Sequence, residues 1–165
     1  MALGVDAAPN LLSATVSACG GGVLHIPDHR KGVGWVVEAV ADLLKRHNVM
    51  AVGLDPSGPA GALVPDFEKA KIEVVLLDSR ESVQACGAFL AAVTEEDVSK
   101  RLVHRDEYAL NAAVAGAKRR NIGDAWKWSR RDSMVDISPL VAATVARYLW
   151  HRGVAEKLGG PLFAY

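Results

Sequence analysis

The chain has 165 residues, half of them hydrophobic and 23% charged, which fits one folded domain and excludes a disordered, collagen-like or coiled-coil chain. Nineteen Lys and Arg balance nineteen Asp and Glu, which argues against a generic cationic coat for nucleic acid. No apolar run approaches the roughly 18 residues of a membrane span, the start lacks the pattern of a signal peptide, and Cys19 and Cys86 form no ligand spacing. Free, buried thiols in a reducing cytoplasm are therefore expected.

Ala2 to Val5 is a short apolar run ending on Asp6, and Pro9 and Asn10 turn the chain into a second strand over Leu12 to Cys19. Gly20, Gly21 and Gly22 supply a tight connection to a third strand, Val23 to Ile26, so the opening third predicts an antiparallel meander. Val33, Val36, Val37, Val40, Leu43 and Leu44 recur at helical spacing, which predicts an amphipathic helix over Val33 to His47. Val49 to Leu54 reads as a buried strand that again ends on a carboxylate, Asp55, followed by Pro56, Ser57, Gly58 and Pro59. A short helix over Leu63 to Ala70, a strand over Ile72 to Leu77 and a helix over Ser82 to Val93 continue an α/β alternation. Asp78 is expected as a turn or cap residue. Tyr108 to Lys118 is Ala-rich and reads as a helix, and Ala125 to Ser129 has the aromatic alternation of a strand. Pro139 to Trp150 predicts a strong last helix with Ser138 at its N-cap and Pro139 at its first position. Residues 158–165, rich in Gly and Pro, predict a flexible tail or a docking strand.

Charge is segregated along this order. Residues 1–99 carry 7 Lys and Arg against 13 Asp and Glu, whereas residues 100–131 carry 9 against 3, so a net −6 precedes a net +6. The basic segment, with Lys118, Arg119, Arg120, Lys127, Arg130 and Arg131, suits either a phosphate backbone or an ordinary solvated face. Trp126 and Trp128 suit either DNA contact or packing.

Three antiparallel strands, a helix and a strand parallel to the first predict an RNase H-like α/β fold: a mixed central sheet flanked by helices. In that order the first and fourth strands are neighbours, so Asp6 and Asp55 at corresponding ends meet. Hard carboxylate oxygens converging from several elements are what a Mg²⁺ or Mn²⁺ site for phosphodiester hydrolysis needs. Asp136, ahead of the last helix, is placed to supply a third carboxylate, with Asp132 as its competitor. The alternative is that Asp6 and Asp55 serve turns and Asp136 the helix macrodipole. The chain has no GxxxxGK[ST] loop, no GxGxxG, no HExxH and no Cys/His zinc spacing, and DPSGP around Ser57 is no GxSxG elbow. The five histidines are scattered and read as structural or surface residues, with His104 a candidate for ordering a helix entry.

The runs VGLDPSGPAGAL, LVHRDEYALNAAVAGAKRR and GDAWKWSRRDSMVDISPLVAATVARYLW resemble the C-terminal nuclease domain of the large terminase subunit of tailed bacteriophages, of the type found in phages of actinobacteria. The resemblance implies a metal-dependent endodeoxyribonuclease that cuts concatemeric viral DNA during packaging, with little sequence preference. It implies two divalent ions, Mg²⁺ or Mn²⁺, with Asp6 bridging them and Asp55 and Asp136 completing their shells around an in-line attack by water. Lys127, Arg130 and Arg131 would then position double-stranded DNA, with Lys118, Arg119 and Arg120 beside them. Implied partners are an ATPase motor domain, the portal ring and the small terminase subunit, in the cytoplasm of the infected host. Because the motor lies outside these 165 residues, an excised domain or a truncated product is expected. Two other readings are another RNase H-like nuclease, such as a resolvase or transposase core, and a non-catalytic module docking DNA or a portal.

Overall fold

The computed structural model describes residues 1–157, and the tail expected over 158–165 lies outside them. Strands β1 (Ala2–Ala7), β2 (Ser13–Gly20) and β3 (Val23–Lys31) form the antiparallel meander. Gly21 and Gly22, both at positive φ, close the two-residue turn between β2 and β3, a conformation that glycine adopts without a Cβ clash. Helix α1 (Val36–Arg46) leads to β4 (Ala51–Leu54), which runs parallel to β1. A 3-10 turn over Pro59–Leu63 and α2 (Val64–Lys69) follow, then β5 (Val75–Leu76) parallel to β4. The helices α3 (Ser79–Thr94) and α4 (Tyr108–Gly116) flank a two-residue strand, β6 (Val103–His104), parallel to β3. A separate hairpin, β7 (Lys118–Ile122) with β8 (Ala125–Ser129), precedes the long helix α5 (Ser138–Lys157).

The sheet order is β5-β4-β1-β2-β3-β6, the RNase H-like arrangement expected. All six residues of β1 are buried, because both of its faces are covered. Leu3, Val5 and Ala7 pack with Val16, Val52 and Leu54 under Val36 and Val40 of α1 and Phe67 of α2. On the opposite face, Ala2 packs with Val145, Tyr148 and Leu149 of α5, and Leu140, Ala143 and Ala146 pack with Cys19, Leu24 and Phe89. Each large side chain so buried contributes about 1.5–3 kcal/mol. The Ala-rich stretch of α5 has a steric cause: a Cβ at Gly4 would fall onto the carbonyl of Ala142 and lie 2.6 Å from the nitrogen of Ala146. Helix and strand approach to backbone contact there.

Three expectations are corrected, and two strands appear that none of them covered. The β5 strand spans two residues instead of Ile72 to Leu77. The helix expected to reach Lys118 ends at Gly116, and Lys118 opens β7, an unforeseen strand that pairs with β8. β6 was also unforeseen. Ser138 is the first residue of α5 instead of its cap, and its hydroxyl lies 2.9 Å from that of Thr15. Asp78 is the N-cap of α3 in a reciprocal capping box with Glu81, as expected for a cap residue. His104 Nδ1 accepts the amide of Asp106 shortly before α4. Both cysteines are free and buried.

Candidate functional site

Gly4 of β1 stands beside Gly53 of β4, so two residues further along this parallel register come Asp6 and Asp55. Period-two alternation turns Asp6 and Gly4 to the same face, the one covered by α5. Asp6 is fully buried and Asp55 nearly so. Two carboxylates on adjacent strands of a low-dielectric interior repel, and each carries a large cost unless paired.

The pairing comes from the segment around β8. Arg130 donates to both oxygens of Asp6, Nη2 to Oδ1 at 2.7 Å and Nε to Oδ2 at 3.3 Å. Lys127 Nζ donates to Oδ2 of Asp55 at 2.7 Å, and Oδ1 of Asp55 accepts the amide of Ser57 at 2.9 Å and its hydroxyl at 2.5 Å. All four carboxylate oxygens are therefore engaged. Burial still dominates at Asp6 and pushes its carboxyl up to about 6, against the pull of Arg130. At Asp55 burial also opposes ionisation, but the hydrogen bonds from Lys127 and Ser57 outweigh it and hold the carboxyl below the usual range. Arg130 is held above its ordinary value, its own burial being outweighed by Asp6. Beside the pair, a narrow cleft is lined by Asp55, Ser82, Cys86, Lys127, Arg130 and Thr144, and the Ser82 hydroxyl has no partner among the described residues.

The structure thus brings Asp6 and Asp55 together and places Asp136 differently. Asp136 Oδ2 accepts from the Ser13 hydroxyl and lies 4.0 Å from His29 Nε2, while Oδ1 accepts the Ser138 amide at 2.8 Å. His29 Nδ1 lies 2.8 Å from the Thr15 hydroxyl, and Thr15 is the cross-strand partner of Asp6. A polar chain of Ser13, Asp136, His29, Thr15 and Ser138 therefore runs alongside the carboxylate pair. Asp132 is exposed, with Oδ2 accepting the Ser129 hydroxyl at 2.6 Å. Among the described residues, no three His, Cys, Asp or Glu side chains are grouped so as to hold one ion.

Of the basic residues singled out, Lys127 and Arg130 turn inward, whereas Lys118, Arg119, Arg120 and Arg131 are exposed. Arg119 lies over the Trp126 ring at 5.0 Å. Trp128 packs edge-on against Phe89 and donates its indole N–H to Thr144 at 3.0 Å, which fixes the hairpin to α3 and α5. Ser13, Thr15, Ser57 and His29 escaped sequence reasoning, since lone hydroxyls and a half-exposed His carry no spacing signal. Ser57, two residues after a strand-terminal Asp, had the one recognisable cue.

In kind, the donors suit a hard divalent ion: carboxylate oxygens of Asp6 and Asp55 at the ends of neighbouring parallel strands. No protein-family model matches the chain. No curated protein sequence matches it either. Its fold is similar to the crystal structure of the large terminase nuclease from thermophilic phage G20c, with a TM-score of 0.66 and 14% identity over 88% of this chain and 79% of that one. A second crystal structure of that nuclease, with bound magnesium, gives a TM-score of 0.60 and 14% identity over 88% and 78%. Among the described residues, no helix is long and apolar enough to cross a membrane.

Proposed function

We propose that this chain is the nuclease domain of a large terminase subunit, a divalent-metal-dependent endodeoxyribonuclease that cuts concatemeric viral DNA during packaging with little sequence preference. The observation that carries the reading is the side-by-side placement of Asp6 and Asp55 on the face of an RNase H-like sheet. The bound magnesium of the second G20c structure favours a divalent ion here too. Asp6 and Asp55 would hold it, and Asp136 is the third candidate, with Asp132 as competitor. When bound, one ion or two would supply charge stabilisation on the scissile phosphate.

The chain's own residues do the rest. Burial of Asp6 and Asp55 shields the carboxylates from bulk water, and the cleft lined by Asp55, Lys127 and Arg130 lies beside them. The exposed cations Lys118, Arg119, Arg120 and Arg131 are suited to follow a double-stranded phosphate backbone without reading bases. In its biological setting the domain would work with an ATPase motor, a portal ring and a small subunit in the host cytoplasm, and the actinobacteriophage type is the proposed lineage.

Incubation of plasmid DNA with Mn²⁺ or Mg²⁺ tests this directly. Cleavage is expected, EDTA abolishes it, and Asp6→Asn lowers the rate by about two orders of magnitude or more, the scale of losing a principal electrostatic stabiliser. Full activity in Asp6→Asn sinks the reading. The engagement of both acids by Lys127 and Arg130 favours one other reading, a non-catalytic DNA-docking module, which predicts duplex binding in EDTA and no cleavage with either metal.

A further inference from the structure

Two side-chain cations sit on two carboxylates, so the pair already carries the charge compensation that one divalent ion would bring. Lys127 and Arg130 are largely buried, and both belong to the β7–β8 hairpin and the turn that follows it. A hard ion coordinated by Asp6 and Asp55 requires oxygens that now accept from Arg130 and Lys127. An ion at coordination distance of those oxygens would lie within a few ångströms of an ammonium and a guanidinium, which like-charge repulsion disfavours. The ion and the two cations therefore compete for the same oxygens, and a displaced guanidinium or ammonium is stabilised by water or by another anion.

That anion has an evident approach. In the β7–β8 register Arg120 is the cross-strand partner of Lys127, and Lys118 of Ser129, so exposed Lys118 and Arg120 share a face with Lys127. A phosphate backbone held by the exposed pair would lie within reach of a lysine that is now turned inward.

Resting on the metal-site reading above, we infer that Lys127 and Arg130 are exchangeable counter-ions of the Asp6–Asp55 pair: they exclude the divalent ion until DNA phosphates take them over. Metal uptake and DNA binding then oppose the same two ion pairs, and each favours the other by the same factor. The hairpin acts as a substrate-dependent gate on metal loading, and the basic segment serves both states.

The test is calorimetric titration of the full chain with Mn²⁺, alone and with a short phosphorothioate duplex that resists cleavage. The wild-type chain is expected to bind Mn²⁺ about tenfold more tightly with the duplex than without it, within the usual range of coupling between sites. Lys127→Met keeps the alkyl stem and leaves the buried Asp6–Arg130 pair intact, so it is the primary variant; Arg130→Gln is the second. Either should bind Mn²⁺ about tenfold more tightly than wild type in the absence of DNA, and lose part of the coupling, since the other ion pair remains. Asp55→Asn, run in parallel, reports whether the ion is at this site. Variants that bind Mn²⁺ no more tightly than wild type, while Asp55→Asn abolishes binding, overturn the counter-ion role and leave the metal site standing. Coupling undiminished in Lys127→Met also overturns it, because the duplex then acts by contacting the ion itself. Mn²⁺ binding that is absent from wild type and Lys127→Met alike, or unaffected by Asp55→Asn, removes the metal-site reading and this inference with it.

Discussion

Replacing Asp6 by Asn isolates the titration of one buried carboxylate. Asp6 is fully buried, and burial raises its carboxyl from 3.8 to about 6 in spite of Arg130. A rise of that size corresponds to about 3 kcal/mol of folding free energy, at about 1.4 kcal/mol per pH unit. Its sign follows from proton counting. Between about pH 4 and 6 the folded chain keeps the Asp6 proton that the unfolded chain has released, so stability is greatest below about pH 4 and declines as pH rises to about 6. Asn cannot titrate, so the variant should lack this decline. Asp55 and Glu107, both held below the usual carboxylate range, contribute in the opposite direction and at lower pH, and they are common to both chains. Urea denaturation in EDTA at successive pH values therefore reports Asp6 as a difference between the two stability curves. That difference should change by up to about 3 kcal/mol between pH 4 and 7, in favour of the variant as pH rises. Parallel curves would refute the assignment of a costly buried charge to Asp6, whatever the absolute stability of the variant.

Two further substitutions test the scaffold. Gly4→Ala places a methyl onto the Ala142 carbonyl, where helix and strand backbones meet, and should cost about 3 kcal/mol by chemical denaturation; a loss under about 1 kcal/mol would show that α5 can move away from β1. Asp78→Ala removes one half of the capping box with Glu81 and should cost about 1 kcal/mol, lowering Tm by a few degrees without changing metal or DNA binding.

The sheet was legible because its cues are local. An apolar run, the Pro9–Asn10 turn and the glycine turn mark β1 to β3, and the helical spacing of Val36, Val40 and Leu43 marks α1, with these three residues buried in the core. Asp6 and Asp55 were legible as a pair because topology alone places β4 beside β1. Of the short strands in the sheet, β5 was legible as a strand but not in its length, and β6 was not legible at all. Val103–His104 and Val75–Leu76 take their extended form from one neighbour each, a tertiary effect that two residues cannot advertise. Lys118–Ile122, exposed throughout, offers no apolar period and followed directly on an Ala-rich helix. Asp136 sits just ahead of α5 as expected, but its oxygens go to Ser13 and to the helix amide of Ser138, partners whose hydroxyl and backbone leave no mark in a one-dimensional pattern.

The segregated charge of the sequence acquires a different meaning in three dimensions. A basic run after an acidic half suggests a face for phosphate, and for Lys118, Arg119, Arg120 and Arg131 exposure agrees with that. Lys127 and Arg130 belong to the same run, yet they cross the chain to neutralise Asp6 and Asp55 from its acidic part. The selection is made by packing: Trp128 anchors β8 against Phe89 and Thr144, and Lys127, one residue before that anchor, and Arg130, two residues after it, are carried into the carboxylate cleft. A Trp128→Ala chain should therefore loosen both ion pairs at once without altering any charged residue, and bind Mn²⁺ more tightly in the absence of DNA. Enhanced Mn²⁺ binding in that variant, lost again on adding Asp55→Asn, would show that the hairpin's seating, as much as the charges it carries, keeps the acids closed. Unchanged Mn²⁺ affinity in a folded Trp128→Ala chain would mean that Lys127 and Arg130 hold their places without it.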